Sequence, residues 1–247
     1  MKICVAQTRA AAGDVQKNID NHKKFAKLAA SHAADMIIFP ELSLTGYEPT
    51  LAKELATHMN DGRFEQLQNI SDSKRIIIGA GMPITFGRDI SIGMILFQPN
   101  QLREIYFKQH VHPDEKPYFV SGISRSVLSE NKIAMAICYE ISVPGHAEQA
   151  HESGASIYIA SVAKTAAGVS NAIETLAGTA KKYSMTVLMS NCVGINDAAE
   201  CGGRSSVWSN KGVLLAQLDD TNEGFIIFDT GTQTVINEQK DFWLKKV

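Results

Sequence analysis

The sequence predicts an α/β protein in which helices cover a mixed β-sheet system. Short apolar runs rich in β-branched residues recur along the 247 residues, and segments with helical apolar spacing lie between several of them. Helix and strand patterns alternate in the first and middle thirds of the chain, whereas residues 75–108 and the chain after Gly203 are rich in strand patterns. This order favours sheets that are covered by helices.

The predicted strands are short apolar runs bounded by turn residues. In chain order they are KICVAQ from residue 2, DMIIFP from 35, RIIIGAG from 75, IGMILF from 92, REIYFK from 103, KIAMAIC from 132, ASIYIAS from 155, MTVLMSN from 185, SSVW from 205 and GFIIFD from 224. Their length and their β-branched content argue for strands rather than for helices.

Three segments between these runs predict helices. The first begins at Val15, where apolar residues start to recur at helical spacing, and Asp14 before it is a suitable N-cap. The second begins at Pro144 and ends at Gly154, since proline suits a first helical turn and glycine suits the position after a last one. The third covers residues 171–183.

The composition fits one folded domain that spans residues 1–247. Apolar residues make up 45% of the chain, which is enough to bury one large core. The formal net charge is −2 and no block of Lys and Arg is present, so we expect neither nucleic acid nor membrane as a partner. The first apolar stretch is too short for a signal peptide, and no run approaches the roughly 18–20 apolar residues of a membrane span. We therefore expect a cytoplasmic protein.

The four cysteines indicate neither a disulfide framework nor a structural zinc site, because they are scattered and lack CxxC spacing. Cys4 lies inside the first predicted strand and Cys192 follows a later one, so both are expected to be small core residues. Cys201 lies in the segment AAECGGR, which predicts an exposed loop.

Three chemically useful side chains follow predicted strands, and functional residues of α/β proteins gather at such positions. Glu41 follows one apolar run, Lys108 ends another and Cys138 ends a third. Each has an ordinary structural explanation, since free cysteines are usually packed in cores, and a glutamate or lysine at a strand end is usually a turn residue or a solvated one. Together, however, they offer a nucleophile, a general base and a cation for acyl transfer.

The segments that carry these residues resemble a known family. FPELSLTGY, YFKQH and AICYE, in this order, are similar to the three signature segments of the nitrilase superfamily of carbon-nitrogen hydrolases. Supporting matches are GDVQKNI, ESGASIYIAS, SNCVG and GGRSSVWSNKG, so the resemblance covers nearly the whole chain. It implies an αββα four-layer sandwich of two mixed β-sheets flanked by helices, and a dimer or higher homo-oligomer. Phe242 and Trp243 in the carboxyl-terminal segment are candidates for that interface.

The resemblance also implies the roles of individual residues. Cys138 would be the nucleophile, Glu41 the general base and then acid, and Lys108 the oxyanion stabiliser, with the backbone N–H of Tyr139 as a second donor. Glu115 would lie near Lys108 and orient it. The substrate would be a small amide, hydrolysed through a thioester with no metal or organic cofactor.

The pocket is less well specified by the sequence. Candidate pocket residues are Tyr47, Tyr118, Val162 and Ala163, the last two because IASVAKT lacks a bulky aromatic residue that many relatives carry. Glu140 stands where amidase-like relatives commonly have aspartate, and Gly145 follows Pro144 where they often have glutamate. A charged group near the site is therefore expected to be missing.

Several alternatives remain open. A nitrilase or an N-carbamoyl amine hydrolase would use the same three residues, and an ω-amide of a dicarboxylic acid would require an arginine clamp, for which Arg204 and Arg125 are candidates. His110 and His112 lie on the same side of an extended segment, as in some metal-dependent hydrolases. A non-enzymatic binding protein with a buried cysteine is the third alternative.

Overall fold

The computed structural model describes residues 1–124 and 132–239. In these ranges the helices are α1 Val15–Ser31, α2 Ala52–Leu55, α3 Glu65–Lys74, α4 Pro144–Glu152 and α5 Val169–Tyr183. The strands are β1 Lys2–Gln7, β2 Met36–Ile38, β3 Ile77–Phe86, β4 Asp89–Phe97, β5 Glu104–Phe107, β6 Ile133–Ile137, β7 Ile157–Ser161, β8 Thr186–Ser190, β9 Val193–Asn196, β10 Ala199–Gly202, β11 Ser206–Trp208, β12 Leu214–Gln217, β13 Gly224–Asp229 and β14 Thr234–Gln239.

The strands form two large mixed sheets and one small hairpin. The first sheet has the order β14-β13-β1-β2-β3-β4-β5, and the second has the order β12-β11-β8-β7-β6. In the first, β1, β2 and β3 run parallel and the other pairs are antiparallel. In the second, β6, β7 and β8 run parallel. Among the described strands, β9 and β10 pair with each other and form a separate hairpin. The predicted α/β class with two mixed sheets is confirmed.

The core is divided into three apolar layers by the alternation of side chains along each strand. Ile3 and Val5 of β1 point into the space between the sheets, where they join a cluster with Met135 of β6. Their neighbours Cys4 and Ala6 point outwards, into a cluster beneath α1 and α3. A third cluster lies between the second sheet and the helices α4 and α5. The layers therefore follow the order helix, sheet, sheet, helix.

The elements with strong apolar patterns are the ones that the sequence predicts correctly. All ten predicted strands are present, and Asp14 caps α1 by accepting a hydrogen bond from the backbone N–H of Lys17 at 3.1 Å. Helix α5 begins at Val169, two residues before its predicted start. The helices α2 and α3 and the strands β9, β10, β12 and β14 are not predicted, because they are short or largely polar.

Two predictions about the surface have different outcomes. The expectation that Cys201 is exposed is wrong, because β10 pairs with β9 and leaves this residue only 4% exposed. The proposed interface residues Phe242 and Trp243 lie outside the described residues, and the dimer stays a prediction. Among the described helices, none is both long and apolar enough to cross a membrane.

Hydroxyl groups connect the two sheets where their parallel strands end. Ser161 at the end of β7 donates to the carbonyl of Phe39, just past β2, at 2.8 Å. Ser190 at the end of β8 donates to the carbonyl of Ala6 in β1 at 2.6 Å. All of these groups are buried, so the bonds form away from water, where an unpaired group is costly. They hold the carboxyl ends of both sheets together.

Gly81 in β3 allows the loop after β2 to lie against the sheet. A Cβ atom at this position would lie 2.4 Å from the backbone nitrogen of Leu42 and 3.1 Å from the carbonyl carbon of Glu41. The obstacle is backbone, which cannot move aside as a side chain can. The close approach of this loop therefore requires glycine.

We expect Gly81→Ala to destabilise the protein by about 1–3 kcal/mol, the usual range for an overpacked core. The loop that carries Glu41 would be displaced. The matched control is Gly178→Ala in α5, where an added Cβ meets nothing within 4 Å and should raise helix stability by roughly 0.5–1 kcal/mol. Urea unfolding of both variants measures the difference. Equal unfolding free energies would contradict the packing account.

Candidate active site

Glu41 is held in a buried loop at the end of β2. The loop is fixed to β3 by hydrogen bonds from the backbone N–H of Phe39 to Gly79 at 2.9 Å and from that of Leu44 to Gly81 at 3.0 Å. His22 of α1 stacks on the Phe39 ring, with centroids 3.8 Å apart. The Glu41 side chain in this loop has no solvent exposure.

Lys108 follows β5, and its side chain is also without solvent exposure. Its Nζ donates to Oε1 of Glu41 at 2.7 Å and to both carboxylate oxygens of Glu115 at 2.8 Å. Burial alone would lower the pKa of this amine, but the nearby negative charges, chiefly Glu41, outweigh burial and raise the pKa. Lys108 is therefore a buried ammonium that two carboxylates compensate.

Glu115 is itself fixed by two further donors. It lies in a 3₁₀ turn, Pro113–Glu115, and its Oε2 accepts the backbone N–H of His112 at 2.8 Å. Its Oε1 accepts the hydroxyl of Tyr47 at 2.8 Å. The family resemblance implied that Glu115 lies near Lys108, and the structure shows this contact. Tyr47, a candidate pocket residue, is half-buried beside the same carboxylate.

Cys138 begins a 3₁₀ turn directly after β6 and has a backbone φ of 42°. This left-handed conformation is rare for residues with a Cβ, and it is found preferentially at functional sites. Burial and the charge of Glu41 raise the pKa of its thiol to about 11. The charges of Lys164 and Lys108 and the backbone N–H of Ala163 act in the opposite direction. The free thiol is therefore protonated near neutral pH.

The structure brings Glu41, Lys108 and Cys138 together from three separate strand ends. Burial raises the pKa of Glu41, whereas the ammonium of Lys108 and a hydrogen bond with the Cys138 thiol lower it. While Oε1 of Glu41 accepts from Lys108, Oε2 is buried and has no conventional nitrogen or oxygen donor among the described residues. This oxygen is free to receive a proton.

Glu140 connects the loop after β5 to the turn that carries Cys138. Its Oε1 accepts the backbone N–H of Gln109 at 2.6 Å, and its Oε2 accepts the backbone N–H of Ile137 at 2.7 Å and the hydroxyl of Tyr106 at 2.9 Å. Burial raises its pKa to about 7, although these hydrogen bonds favour the ionised form. The sequence singled out this position only as a departure from relatives and did not predict its connecting role.

Lys164 is a second cation near the thiol that sequence analysis did not select. It follows β7 by three residues and is half-buried. The side chain of Asn191 holds its backbone: Oδ1 accepts the N–H of Lys164 at 2.8 Å, and Nδ2 donates to its carbonyl at 3.2 Å. No acidic partner of Lys164 is found among the described residues within salt-bridge distance. Its position in IASVAKT, at a strand end, was the available signal.

The other candidate pocket residues lie in different surroundings. Val162 is fully buried in the cluster beneath α4 and α5, whereas Ala163 is half-buried at the thiol. Tyr118 is 39% exposed, in a surface groove with Lys53. A pocket role for these residues stays a prediction. The Tyr139 ring packs edge-to-face on His112, with centroids 4.9 Å apart.

The residues that prompted the alternatives have other contacts. Arg204 donates to the Ser170 hydroxyl at 3.1 Å, and Arg125 lies outside the described residues. His110 packs against the ring of His146, whereas Nδ1 of His112 accepts the backbone N–H of Asp114. Within residues 1–124 and 132–239, His, Cys, Asp and Glu form no group of three or more that could hold a metal ion.

Comparison with known proteins finds relatives along nearly the whole chain. The sequence pattern of the carbon-nitrogen hydrolase family matches residues 2–237. The 2-oxoglutaramate amidase of Bacillus subtilis is 27% identical over 213 residues, covering 83% of this chain and 81% of the amidase. The glutamine-dependent NAD(+) synthetase of Aquifex aeolicus is 28% identical over 171 residues, covering 64% of this chain and only 29% of the synthetase.

Solved structures of an amidase from Nesterenkonia sp. AN1 have the same fold. A glutamate-to-glutamine variant with acrylamide added at its active-site cysteine has a TM-score of 0.82 and 23% identity, covering 93% of this chain and 92% of that one. A cysteine-to-alanine variant in complex with butyramide has a TM-score of 0.83 and 22% identity, covering 94% and 92%. The four-layer arrangement is therefore shared with these proteins.

We expect Glu140→Gln to lower the free energy of unfolding by about 1–3 kcal/mol at pH 8, because its NH₂ group would face N–H donors and leave at least one unpaired. The matched control is Glu148→Gln on the exposed face of α4, where the change should be within about 0.5 kcal/mol. Urea unfolding tests both variants. An unchanged Glu140→Gln protein would show that the connection does not contribute to stability.

Proposed function

Because the chain belongs to the carbon-nitrogen hydrolase family, we propose that it hydrolyses small amides through a thioester on Cys138, with Glu41 and Lys108 as the other catalytic residues. The observation that carries this proposal is the buried contact of the Lys108 ammonium with Glu41, next to the thiol. A buried ion pair beside a strained cysteine is costly as a purely structural device. The ion pair and the cysteine together provide the components that acyl transfer requires.

The first step forms the thioester. Oε2 of Glu41 takes the thiol proton as the sulfur of Cys138 attacks the amide carbon, because the free thiol is protonated at neutral pH. The carbonyl oxygen becomes negative, and Nζ of Lys108 and the backbone N–H of Tyr139 stabilise it. Glu41 then gives the proton to the amide nitrogen, the C–N bond breaks, and ammonia or an amine leaves.

The second step releases the acid. Glu41 removes a proton from water, whose oxygen attacks the thioester carbon, and the same two donors stabilise the negative oxygen. When the C–S bond breaks, the proton returns to the sulfur of Cys138 and a carboxylic acid is released. Glu115 acts as a positioning residue, since it holds Lys108 through both of its oxygens. The scheme uses only groups of the chain, the substrate and water.

Intact-mass spectrometry tests this scheme directly. The wild-type protein and Cys138→Ala are incubated with a panel of small amides, N-carbamoyl amines and nitriles, and ammonia release is followed in parallel. We expect turnover or an acyl adduct with the wild type and neither with Cys138→Ala. The panel also separates the amidase from the nitrilase and N-carbamoyl alternatives. Cys4→Ser is the matched control, since Cys4 is buried beneath α1 and α3.

Glu41→Gln and Lys108→Met should each reduce kcat/KM by about 10²-fold or more, the usual contribution of a general base or an oxyanion donor. Turnover by Cys138→Ala that equals the wild-type rate would contradict the proposal.

The position of Lys164 favours a substrate whose acyl group carries a carboxylate. The similar Bacillus protein is named for an amide of this kind, 2-oxoglutaramate. Sequence analysis expected such a substrate to require an arginine clamp; of the two candidates, Arg204 contacts Ser170 and Arg125 lies outside the described residues. Lys164 is half-buried, and its charge acts on the Cys138 thiol. We therefore propose Lys164 as the group that binds the distant carboxylate of an ω-amide.

Lys164→Met should raise KM at least about 10-fold for an ω-amide with a free carboxylate, the effect of losing one charge-assisted contact. For a neutral amide of the same chain length, KM should change little. Lys164→Arg keeps the charge and should restore much of the affinity. Steady-state kinetics on the matched pair of substrates measures this, and an equal loss for both substrates would argue against carboxylate binding.

A further inference from the structure

A pair of cysteines outside the catalytic cluster has the geometry of a reactive dithiol. Cys192 and Cys201 are free thiols whose sulfur atoms lie 2.8 Å apart. Cys192 directly precedes β9 and Cys201 lies in β10, where Cys201 pairs with Gly194 and Gly202 pairs with Val193. Cys192 and Cys201 are thus diagonal neighbours on one face of the hairpin. A disulfide has an S–S distance of about 2.0 Å, so bond formation needs a closure of about 0.8 Å.

The polar groups around the pair favour one thiolate. Nδ2 of Asn196 lies 3.1 Å from the sulfur of Cys201 and 3.3 Å from that of Cys192. The hydrogen bond from Cys192 lowers the pKa of Cys201, and the Asn196 amide and the charge of Arg9 add to this effect against burial. The same contact raises the pKa of Cys192. Cys201 is therefore the thiol that ionises first, and Cys192 keeps its proton.

We propose that Cys192 and Cys201 form a reversible disulfide when the protein meets a low-molecular-weight disulfide. The Cys201 thiolate attacks one sulfur of the oxidant, and the other sulfur leaves as a thiolate. Cys192 then loses its proton, its sulfur attacks that of Cys201, and the second thiol leaves. Two protein thiols are oxidised and one small disulfide is reduced to two thiols. The exposures of 3% and 4% restrict the reaction to small oxidants.

This dithiol lies directly behind the segment that contacts the Cys138 thiol. The backbone N–H of Gly202 donates to the carbonyl of Lys164 at 2.8 Å, and Thr165 forms an isolated antiparallel β-bridge with Cys201. Asn191, the neighbour of Cys192, holds Lys164 from the other side. A cross-link would therefore fasten the hairpin that supports Lys164. The proposal rests on thiol geometry and is independent of the amidase activity.

Peptide mapping tests the proposal. Trypsin places Cys192 and Cys201 in one peptide, residues 183–204, and Cys4 in another, residues 3–9. Cys138→Ala protein is treated with 2-hydroxyethyl disulfide, and iodoacetamide is then added in denaturant. We expect the 183–204 peptide to be unalkylated and lighter by two hydrogen atoms than the reduced peptide, and dithiothreitol to reverse this. The Cys4 peptide should be alkylated and serves as the internal control.

Single variants test the order of the two steps. Cys192→Ser should accumulate a mixed disulfide at Cys201 faster than Cys201→Ser accumulates one at Cys192. Thermal unfolding of the oxidised Cys138→Ala protein should occur at a higher temperature than that of the reduced form, because the cross-link restricts the unfolded chain. Full alkylation of both cysteines, or two stable mixed disulfides in one chain, would overturn the proposal. The peptide map of the Cys138→Ala protein decides this even if a serine variant does not fold.

Discussion

The burial of one ammonium group between two carboxylates is the constraint on which the rest of the site depends. The side chain of Lys108 has no solvent exposure, and Glu41 and Glu115 compensate its charge. Removing Lys108 would leave two buried carboxylates without their cation, at a cost of roughly 3–5 kcal/mol. Burial, together with the excess negative charge of the cluster, raises the pKa of the nearby Cys138 thiol, so the thiol retains its proton. In the proposed reaction the thiol proton moves to Glu41 and neutralises its carboxylate. The negative oxygen that forms on the substrate then takes the place of this carboxylate charge beside Lys108.

This cluster requires three distant segments to meet at one end of the sandwich. Buried hydroxyls of Ser161 and Ser190 connect the strand ends of one sheet to those of the other. Gly81 lets the loop of Glu41 approach β3, and Glu140 fastens the loop after Lys108 to the turn that carries Cys138. The geometry of this cluster is therefore a property of the sheets and not of any single loop.

The fold class could be predicted from local signals, whereas the meeting of Glu41, Lys108 and Cys138 was implied only by the resemblance to a family. Glu41, Lys108 and Cys138 each follow a short apolar run, and strands of that kind are identifiable from sequence. The remaining features depend on contacts between distant or irregular segments, which no local pattern encodes. Cys201 is buried only because the weakly patterned strands β9 and β10 pair. Lys164 lies near the Cys138 thiol only because the side chain of Asn191, directly after β8, holds its backbone.

The pH dependence of Cys138 alkylation by iodoacetamide tests the central claim most directly, in the wild type and in Glu41→Gln. The account predicts a thiol pKa of about 11 in the wild type, above the ordinary value of 9.0. Because the Glu41 charge raises that pKa, Glu41→Gln should lower it and speed alkylation at neutral pH, while amide turnover is lost. The account would be contradicted if the Cys138 thiol of the wild type were already ionised at neutral pH, or if Glu41→Gln hydrolysed the amide faster than the wild type.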